Sequence, residues 1–535
     1  MKKLTLFTAI LITANMLFAQ IIHIPADYPT IQEGILAASD GDTVLVHTGT
    51  YYENVEIWAK SITLASLYLT TQDTSYMSQT VIDGGQQGSV LQFFSNDINI
   101  SGFTIQNGYA DGWVWPENGG GIFILGPSNF ILSNLIISSN SAENGGGIFI
   151  YGPSNGILSN LTISDNFGGG VYLYGESQDS TSNIYIKDVI IRNNQLWFGE
   201  GGGIHCKNFD PVLEDVVIEG NTMFTGTGIG GYFYQSSPIL RNVRVMSNTG
   251  PFKSLKFPVA QDALFFDHAS PLLQNVLIVN HYGYGINLKN SEAVIHNSTL
   301  SYNSDFAIDC YSSSATLINS IFWGNNSWNQ SGQVRLRNNS TCSVSYCDIQ
   351  DGLAGVYQIG QNSFHWLEGN ISDNPLFENT GDSTCQLSSV SPCIDTGTPD
   401  TTGLNLPLMD LLGNHRIWDG NGDGIARIDM GAYEFDAPIF VGIPQSEIEN
   451  RKSEIQVFPN PFNTHITIEF NLPQATIVSI QIFNAMGAKV SELHYGQLPA
   501  GQQRFTWHAG DLPKGLYFCR VRMGNESTTQ KLIKY

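Results

Sequence analysis

Residues 117–140 read ENGGGIFILGPSNFILSNLIISSN, and residues 143–166 read ENGGGIFIYGPSNGILSNLTISDN. The second segment repeats the first at an offset of 26 residues and departs from it only at the pairs 125/151, 130/156, 136/162 and 139/165. A repeat of this length is typical of a solenoid, because one such unit cannot bury its apolar residues alone and has to stack on its neighbours.

The same unit continues along the chain in a degenerate form: an Asn or Asp, a short run of alternating apolar residues, and a second Asn. Its members begin at Asn134, Asn160, Asp188, Asp215, Asn242, Asn275, Asn297 and Asn319. The apolar runs are β-branched, and no helical periodicity separates them. We therefore predict an all-β protein, a right-handed parallel β-helix. Its recurrent Asn residues would form a stacked amide ladder inside a turn, and its Gly triplets 119–121 and 145–147 would occupy corners.

The composition agrees with this architecture and limits the partners. Charged residues make up 13% of the chain and Gly occurs 55 times, whereas surface helices need many Glu, Lys and Ala. The formal net charge of −23 repels nucleic acid and anionic lipid surfaces. Two cysteine pairs, Cys342 with Cys347 and Cys385 with Cys393, are close enough in sequence to close small disulfide loops in an oxidising compartment.

The N-terminus has the features of a secretory signal. Two lysines after Met1 precede an apolar run over residues 4–18, which is too short for a comfortable membrane span. We assign residues 1–19 to a signal peptide and predict an exported protein without a transmembrane segment. Residues 30–38 are predicted to form a short helix that caps the first coil, and residues 42–46 and 55–64 the first strands.

The segment IPADYPTIQEGILAASDGDTVLVHTGTYYENVEI at residues 24–57 resembles the entry segment of pectin-lyase-like β-helix proteins, which include pectinesterases. The resemblance implies the β-helix fold over residues 21–350. The active-site signatures of pectinesterases have no counterpart in this sequence, so the resemblance does not imply esterase activity.

Two segments near the C-terminus resemble parts of bacterial secreted proteins. SPCIDTGTPD, DLLGNHRIWDGNGDG and IDMGAYEF, within residues 391–435, resemble the tail that follows β-helix coils in proteins of the choice-of-anchor Q type. VFPNPFN at residues 457–463, IFNAMG at 482–487 and the final QKLIKY resemble blocks of a type IX secretion C-terminal sorting domain. That resemblance implies the type IX secretion machinery as a partner, and a location outside the cell or on the outer-membrane surface.

These resemblances and the repeat together divide the chain into four parts. Residues 1–19 are the signal peptide, and residues 20–436 the parallel β-helix with an N-terminal cap and a C-terminal capping tail. Residues 437–454 form a linker. Residues 455–535 form a small Ig-like β-sandwich, which the alternating strands and the turn spacing there also indicate.

Residues 419–424, DGNGDG, carry oxygen atoms at alternate positions and a Gly at the sharp turn, which is the pattern of a calcium loop. The predicted ligands are Asp419, Asn421, Asp423, the carbonyl of Ile425, and Asp429, which falls one place short of the twelfth position of an EF-hand loop and for which Glu434 is the substitute. An ordinary Asx/Gly turn has the same composition, so structural calcium and a simple turn both stay open.

Aromatic residues are concentrated in the insertions that precede the Gly corners. They are Trp113, Trp115, Trp197, Phe198 and Phe224, and because they share one phase of the coil they are predicted to emerge on one side. Exposed rings are suited to stacking on sugar rings. Rings folded back over the edge of the coil are the alternative.

The same side carries three candidate catalytic carboxylates, Glu117, Glu143 and Glu200. Glu117 and Glu143 occupy one site in adjacent coils, so their carboxylates are expected about 5 Å apart, as in retaining glycosidases. Repeats also align identical residues automatically, which makes a solvated acidic ladder the alternative to catalysis.

These features predict a secreted or surface protein for carbohydrate binding or adhesion, with an extracellular glycan as its partner. A polysaccharide lyase or glycoside hydrolase is the enzymatic alternative, and it predicts a groove with paired carboxylates and an Arg or Lys. A structural spacer is the third possibility, and it predicts that Trp113, Trp115 and Trp197 are buried.

Overall fold

A computed structural model describes residues 19–94, 97–110, 118–177, 182–250, 262–327, 330–378 and 384–440 of the chain. It also describes residues 456–534, except 459, 461, 473–475, 485–488, 500, 511, 514 and 524–525. The chain forms two compact units, residues 1–440 and 441–535. Trp113, Trp115, Glu117 and most of the predicted signal peptide lie outside the described residues.

The first unit is a stack of coils built from three parallel ladders of strands, called here faces 1, 2 and 3. Face 1 consists of Val55–Trp58, Leu91–Phe94, Ile122–Leu125, Ile148–Tyr151, Val171–Tyr174, Ile204–Lys207, Gly231–Tyr234, Leu264–Asp267, Ile286–Lys289, Ile308–Tyr311, Val334–Arg337 and Val356–Ile359. The repeat offset is realised as strand pairing, since Ile122 is paired with Ile148 and Ser128 with Ser154. The predicted right-handed parallel β-helix is confirmed.

Faces 2 and 3 share three long strands, Ser128–Ser138, Ser154–Ser164 and Ile184–Arg192, whose first halves belong to face 2 and second halves to face 3. The other strands of face 2 are Ile21–Ile24, Thr43–Val46, Thr63–Ser66, Asp97–Ser101, Val212–Glu214, Ile239–Arg241, Leu272–Gln274, Glu292–His296, Ser314–Ile318, Thr341–Ser345 and Ser363–Trp366. Those of face 3 are Gly49–Tyr52, Thr80–Asp83, Thr104–Gln106, Val217–Glu219, Arg244–Met246, Leu277–Val279, Thr299–Ser301, Ile321–Trp323 and Asp348–Ile349.

A short parallel ladder lies between face 3 and face 1 and is called here the edge ladder. It pairs Tyr109–Ala110 with Ser141–Ala142 and Gln195–Glu200 with Thr222–Thr227. The remaining elements of this unit are an antiparallel pair, Asn326–Ser327 with Gln330–Ser331, the helices Ile31–Ala37, Tyr68–Thr71 and Ser75–Gln79, and a 3-10 turn at Gly352–Gly355.

The corner between faces 2 and 3 explains the recurrent Asn or Asp. Each of the eight positions has a left-handed backbone, with φ between 49° and 55°, a conformation that Asn and Asp tolerate better than most residues. In part of this column neighbouring side chains are hydrogen-bonded: the Asn275 amide donates to Asn242 Oδ1 at 3.0 Å, and the Asn242 amide donates to Asp215 Oδ1 at 3.0 Å. The predicted amide ladder inside a turn is confirmed only in part. Asn275 Oδ1, Asn297 Oδ1 and the Asn319 amide have no hydrogen-bond partner among the described residues, so the ladder ends at Asn275.

A second, fully buried amide ladder runs where face 3 meets the edge ladder. Its members are Asn140, Asn166, Asn194, Asn221, Asn248, His281, Asn303 and Asn325. In each link between asparagines the side-chain amide and the backbone N–H both donate to the Oδ1 of the next coil, as from Asn194 to Asn221 at 3.0 and 2.9 Å. The sequence pattern identifies this Asn only as the end of each unit and predicts no role for it.

The N-terminal end of the stack is covered as predicted. The helix Ile31–Ala37 begins after Thr30, whose Oγ1 accepts the N–H of Glu33 at 3.1 Å, so the side chain caps the helix. Ile31 and Ile35 are buried against the first coils. The predicted strand at residues 42–46 is observed as Thr43–Val46. The one at 55–64 is split into Val55–Trp58 and the start of Thr63–Ser66 because the chain turns from face 1 to face 2.

The tail that follows the coils lies along the outer side of face 3. Phe377, Leu387, Cys393, Leu411, Met430 and Tyr433 pack on Leu277, Val279 and Ile321 of that face. The corner ladder supplies polar contacts, since the Asn275 amide donates to the Met409 carbonyl at 2.6 Å and Asn319 Oδ1 accepts the N–H of Thr398 at 2.7 Å. The tail therefore covers the apolar outer residues of the later coils.

The seven cysteines are all buried thiols that form no disulfide. Cys342 and Cys347 lie in the core of the coils, and Cys385 and Cys393 in the apolar cluster between the tail and face 3. Cys393 Sγ donates to Asp348 Oδ2 at 3.3 Å. The two disulfide loops that the spacing suggested are not formed, because these thiols fill apolar sites instead of meeting each other.

The second unit is a sandwich of two antiparallel sheets. Within the residues described, one sheet holds Gln456–Phe458, His465–Leu472 and Gly501–His508, and the other holds Thr476–Asn484, Lys489–Leu498, Gly515–Met523 and Glu526–Lys534. Alternate residues such as Ile466, Ile480, Trp507 and Cys519 fill the core between the sheets. The predicted small β-domain is confirmed.

Candidate functional site

The edge ladder carries a cluster of exposed rings, called here the edge patch and formed by Phe167, Trp197, Phe198 and Phe224. Trp197 and Phe198 are 61% and 64% exposed. Phe167 packs edge-on against Trp197, and Phe198 against Phe224, each with ring centroids 5.7 Å apart. Beneath the patch, Leu196, Met223 and Ile229 form a small buried cluster of their own.

The arrangement of the edge patch follows from the local sequence. Leu196 is paired with Met223 and both side chains are buried, so the residues that follow them on these strands are directed outward. Trp197 and Phe224 thus lie on the outer side of the ladder, and Phe198, one residue further along its strand, is also exposed and contacts the Phe224 ring. The predicted ring sites Trp113 and Trp115 fall outside the residues that the structure describes.

Two of the three candidate carboxylates, Glu143 and Glu200, lie beside the edge patch and are exposed. The charges of both carboxylates affect the pKa of Tyr172 on face 1. Burial and then the negative charges of Glu200, Tyr174 and Glu143 raise the pKa of Tyr172 to about 12. Glu143 and Glu200 are separated by two coils, which is roughly 9–10 Å along the axis at the usual strand spacing. The predicted pairing of Glu143 with Glu117 involves a residue outside the described ranges.

Glu200 is held next to a buried histidine. The His205 ring stacks on Tyr172 with centroids 3.9 Å apart, and His205 Nδ1 donates to the backbone carbonyl of Glu200 at 3.1 Å. Burial lowers the pKa of His205 to about 4, so the ring is neutral at pH 7. Partial burial, followed by the Asp267 carboxylate, raises the pKa of Glu200, while Lys207 and Lys289 oppose the shift.

Cations are present on the same stretch of face 1. Lys207 Nζ lies 4.7 Å from the ring centroid of Tyr174, and Lys289 Nζ lies 2.9 Å from Asp267 Oδ2. Further along, Arg335 and Arg337 both pair with the buried Asp309. Sequence reasoning missed this row, because Lys207, Lys289 and the pair Arg335 and Arg337 come from three different coils and only strand register places them on one face.

The DGNGDG loop of the tail is folded around its own carboxylates. Asp419 Oδ1 accepts the N–H of Gly422 at 2.8 Å, and its Oδ2 accepts the N–H of Gly424 at 2.8 Å. Asn421 Oδ1 accepts the N–H of Asp423 at 2.8 Å. Within the described part of the chain, no group of three His, Cys, Asp or Glu side chains is arranged to hold a metal ion.

In the predicted fifth ligand, Asp429, both carboxylate oxygens are hydrogen-bonded to backbone groups outside this loop. Its Oδ1 accepts the N–H of Asp395 and its Oδ2 the N–H of Phe435, both at 2.7 Å. Burial raises the pKa of Asp429 to about 7. Glu434, the predicted substitute, is also buried and pairs with Arg416 at 3.7 Å.

An open groove of about 480 Å³ lies on the outer side of face 2, away from the edge patch. Ile131, Ile157 and Tyr185 line its floor. A row of amides runs along it, in which Asn155 donates to Asn129 Oδ1 at 3.1 Å. The groove contains no candidate catalytic residue.

Comparison with known protein families agrees with both units. Three overlapping segments, residues 60–249, 188–340 and 262–391, match the model of the right-handed β-helix region, so the match extends over more than half of the chain. The chain belongs to this β-helix family. Residues 456–535 match the secretion system C-terminal sorting domain. This β-helix protein is therefore exported to the cell surface or the extracellular space, and it carries the signal read by the type IX secretion machinery.

Solved structures with similar coils come from proteins of several activities. A periplasmic alginate epimerase aligns with 60% of this chain and 77% of its own, at 12% identity and a TM-score of 0.38. The catalytic unit of an α-1,3-glucanase from Streptomyces thermodiastaticus aligns with 64% of this chain and 65% of its own, at 12% identity and a TM-score of 0.38. A module of a mannuronan C-5 epimerase from Azotobacter vinelandii has 14% identity, coverages of 64% and 94%, and a TM-score of 0.28. Likenesses of this size carry no argument about activity.

No curated protein matches the sequence at a significant level. None of the helices in the described residues is both long enough and apolar enough to cross a membrane.

Proposed function

We propose that this secreted β-helix protein binds an extracellular glycan at the edge patch. The observation that carries the proposal is the exposure of Trp197 and Phe198, two consecutive rings on a strand whose neighbour Leu196 is buried. Large exposed rings on a rigid strand offer flat apolar surface at little conformational cost, and clustered exposed apolar groups usually mark a contact surface.

Polar groups for a sugar lie next to the rings. Glu143 and Glu200 supply hydrogen-bond acceptors, and Lys207 on face 1 supplies a donor close to Tyr174. A ring platform beside a few polar groups is the usual composition of a site that binds sugars by stacking and orients them by hydrogen bonds. The spacer alternative predicts a buried Trp197 and therefore has less support.

The test is glycan-array screening of the mature protein, followed by titration of any bound glycan by calorimetry. Replacement of Trp197 and Phe198 by Ala should weaken binding by about 2 kcal/mol or more, roughly 30-fold in Kd. Tyr52→Ala is the matched control, because Tyr52 is 77% exposed but lies on face 3 near the N-terminal end of the stack. Equal affinity of the double variant and the native protein would exclude the edge patch as the glycan site.

A second candidate function, glycan hydrolysis, is favoured by one observation. Glu143 and Glu200 are exposed beside the patch, and the pKa of Glu200 is raised, as a general acid requires. Their separation along the axis is close to the upper end of the range for inverting enzymes, about 9.5 Å. Reducing-sugar release from a bound glycan that disappears in Glu200→Gln would establish hydrolysis, whereas binding without product would rule it out for that glycan.

A further inference from the structure

The buried carboxylate that meets the DGNGDG loop belongs to Asp395, about two dozen residues earlier in the tail. Asp395 Oδ2 accepts the backbone N–H of Asn421 at 2.7 Å, so the carboxylate adjoins the middle of the loop. Only 3% of the residue is exposed. No repeat or motif connects Asp395 with the loop in the sequence, and only the folded tail brings them together.

The other oxygen of this carboxylate lacks a partner. Asp395 Oδ1 is buried and accepts no hydrogen bond from the described residues. The backbone N–H of Arg427 is close enough to the Asp395 carboxylate to oppose the rise of its pKa, but its hydrogen bond is to the Trp418 carbonyl at 3.2 Å. An unpaired buried carboxylate oxygen is costly, and such atoms are usually found to bind an ion or water.

The surroundings of Asp395 are strongly negative. Burial, and beyond it the charges of Asp419 and Asp423, raise the pKa of Asp395. The nearby cation Arg427 is 3.6 Å from Asp423 Oδ2 and is thus already paired with the loop. A divalent cation would offset the repulsion among the three carboxylates and would satisfy the orphan oxygen at the same time.

We propose that Asp395 joins Asp419, Asn421 and Asp423 in a calcium site, and that Asp429 is not a ligand. Hard oxygen donors at alternate positions suit calcium, and the Ile425 carbonyl is available as a further ligand. Asp429 is excluded because its two oxygens accept the N–H groups of Asp395 and Phe435, which lie outside the loop, whereas the Asp419 and Asp423 oxygens accept N–H groups of the loop itself. The site goes beyond glycan binding, since it stabilises the tail and lies apart from the edge patch.

The present positions of the side chains set the expected affinity. The Asp419 and Asp423 carboxylates accept N–H groups of their own loop, so they have to turn to reach a common ion. This rearrangement costs free energy that a preformed site would not lose. We therefore expect the weak affinity of extracellular calcium modules, with a Kd of about 0.1–1 mM.

Trp418, next to the loop, allows a direct test on the full-length mature protein. Terbium bound at the loop should emit when Trp418 is excited, and calcium should compete with it. Calorimetry with calcium alone gives the Kd. Asp395→Asn and Asp419→Asn should each weaken calcium binding at least tenfold, because each removes a ligand charge. Asp400→Asn is the matched control, since this tail carboxylate is exposed and bonds only within its own turn at Thr402.

Two outcomes would overturn the proposal. One is the absence of any calcium binding at millimolar concentrations. The other is unchanged binding in Asp395→Asn together with lost binding in an Asp429→Asn variant that keeps the native melting temperature, which would restore the set of ligands predicted from the sequence. Asn at position 395 still accepts the Asn421 N–H through one oxygen, so this variant is expected to fold. A calcium-dependent rise in melting temperature, lost in Asp395→Asn, gives an independent readout.

Discussion

Phe130 in one repeat is replaced by Gly156 in the next, nearly identical repeat. This difference predicts that mutations at the two positions have strongly coupled effects on the free energy of unfolding. The Phe130 ring is 4% exposed and extends over Gly156 of the next coil. A Cβ atom at position 156 would lie 2.1 Å from the Phe130 Cζ and 2.3 Å from its Cε2. The ring thus occupies the space that a second side chain would need, and the two coils share one large residue between them.

This geometry sets the size of the effects. Gly156→Ala should destabilise the protein by about 1–3 kcal/mol, because the added methyl overpacks the core. Phe130→Ala should cost about 3–5 kcal/mol, because it leaves a cavity. In the double variant the added methyl has room. The double variant should therefore lose about 1–3 kcal/mol less stability than the sum of the losses in the two single variants.

Urea unfolding followed by circular dichroism measures the three free energies. Ile157→Ala is the control, since Ile157 adjoins Gly156 but is directed outward and is 42% exposed, and its effect should stay within about 0.5 kcal/mol. Losses that add up within about 0.5 kcal/mol in the double variant would refute the steric explanation.

Two further predictions concern the buried amide ladder. Asn221→Ala should cost about 3 kcal/mol or more, because the Asn194 N–H and amide then lack their acceptor, and thermal unfolding against the exposed Asn129→Ala variant checks this. His281, whose pKa burial lowers to about 4, must stay neutral to accept the Asn248 amide at 3.2 Å. The titration of His281 should therefore by itself lower the stability of the native protein by up to about 3 kcal/mol as the pH falls from 6.5 to about 4. His281→Asn should lose less over that range, and parallel stability curves for the two proteins would contradict the assignment.

The features that the sequence predicts correctly are those that depend on periodicity. A fixed offset between repeats becomes strand register directly, so the coils and the Asn or Asp positions of the corner between faces 2 and 3 could be located without a structure. The edge patch was predictable for the same reason, because Trp197 and Phe224 share a phase in the coil. The helix Ile31–Ala37 followed from its cap at Thr30.

The features that could not be predicted depend on contacts without periodicity. The tail contacts face 3 through backbone carbonyls such as that of Met409. Because every residue has a carbonyl, the sequence does not indicate which one makes the contact. Asp395 meets the DGNGDG loop through a backbone N–H for the same reason. Spacing alone predicted Asp429 as a ligand of the loop, whereas in the structure it is buried and accepts the N–H groups of Asp395 and Phe435.

The buried amide ladder has a direction. Every asparagine-to-asparagine link donates from the earlier coil to the later one, from Asn140 to Asn325. If the side-chain amide of one asparagine were reversed, two N–H donors would face each other on one side of it and two oxygen acceptors on the other. Such a column can be lengthened or shortened only by complete turns that bring their own asparagine, or a histidine as at His281, which makes tandem duplication of whole units the accessible route by which this protein changes its length.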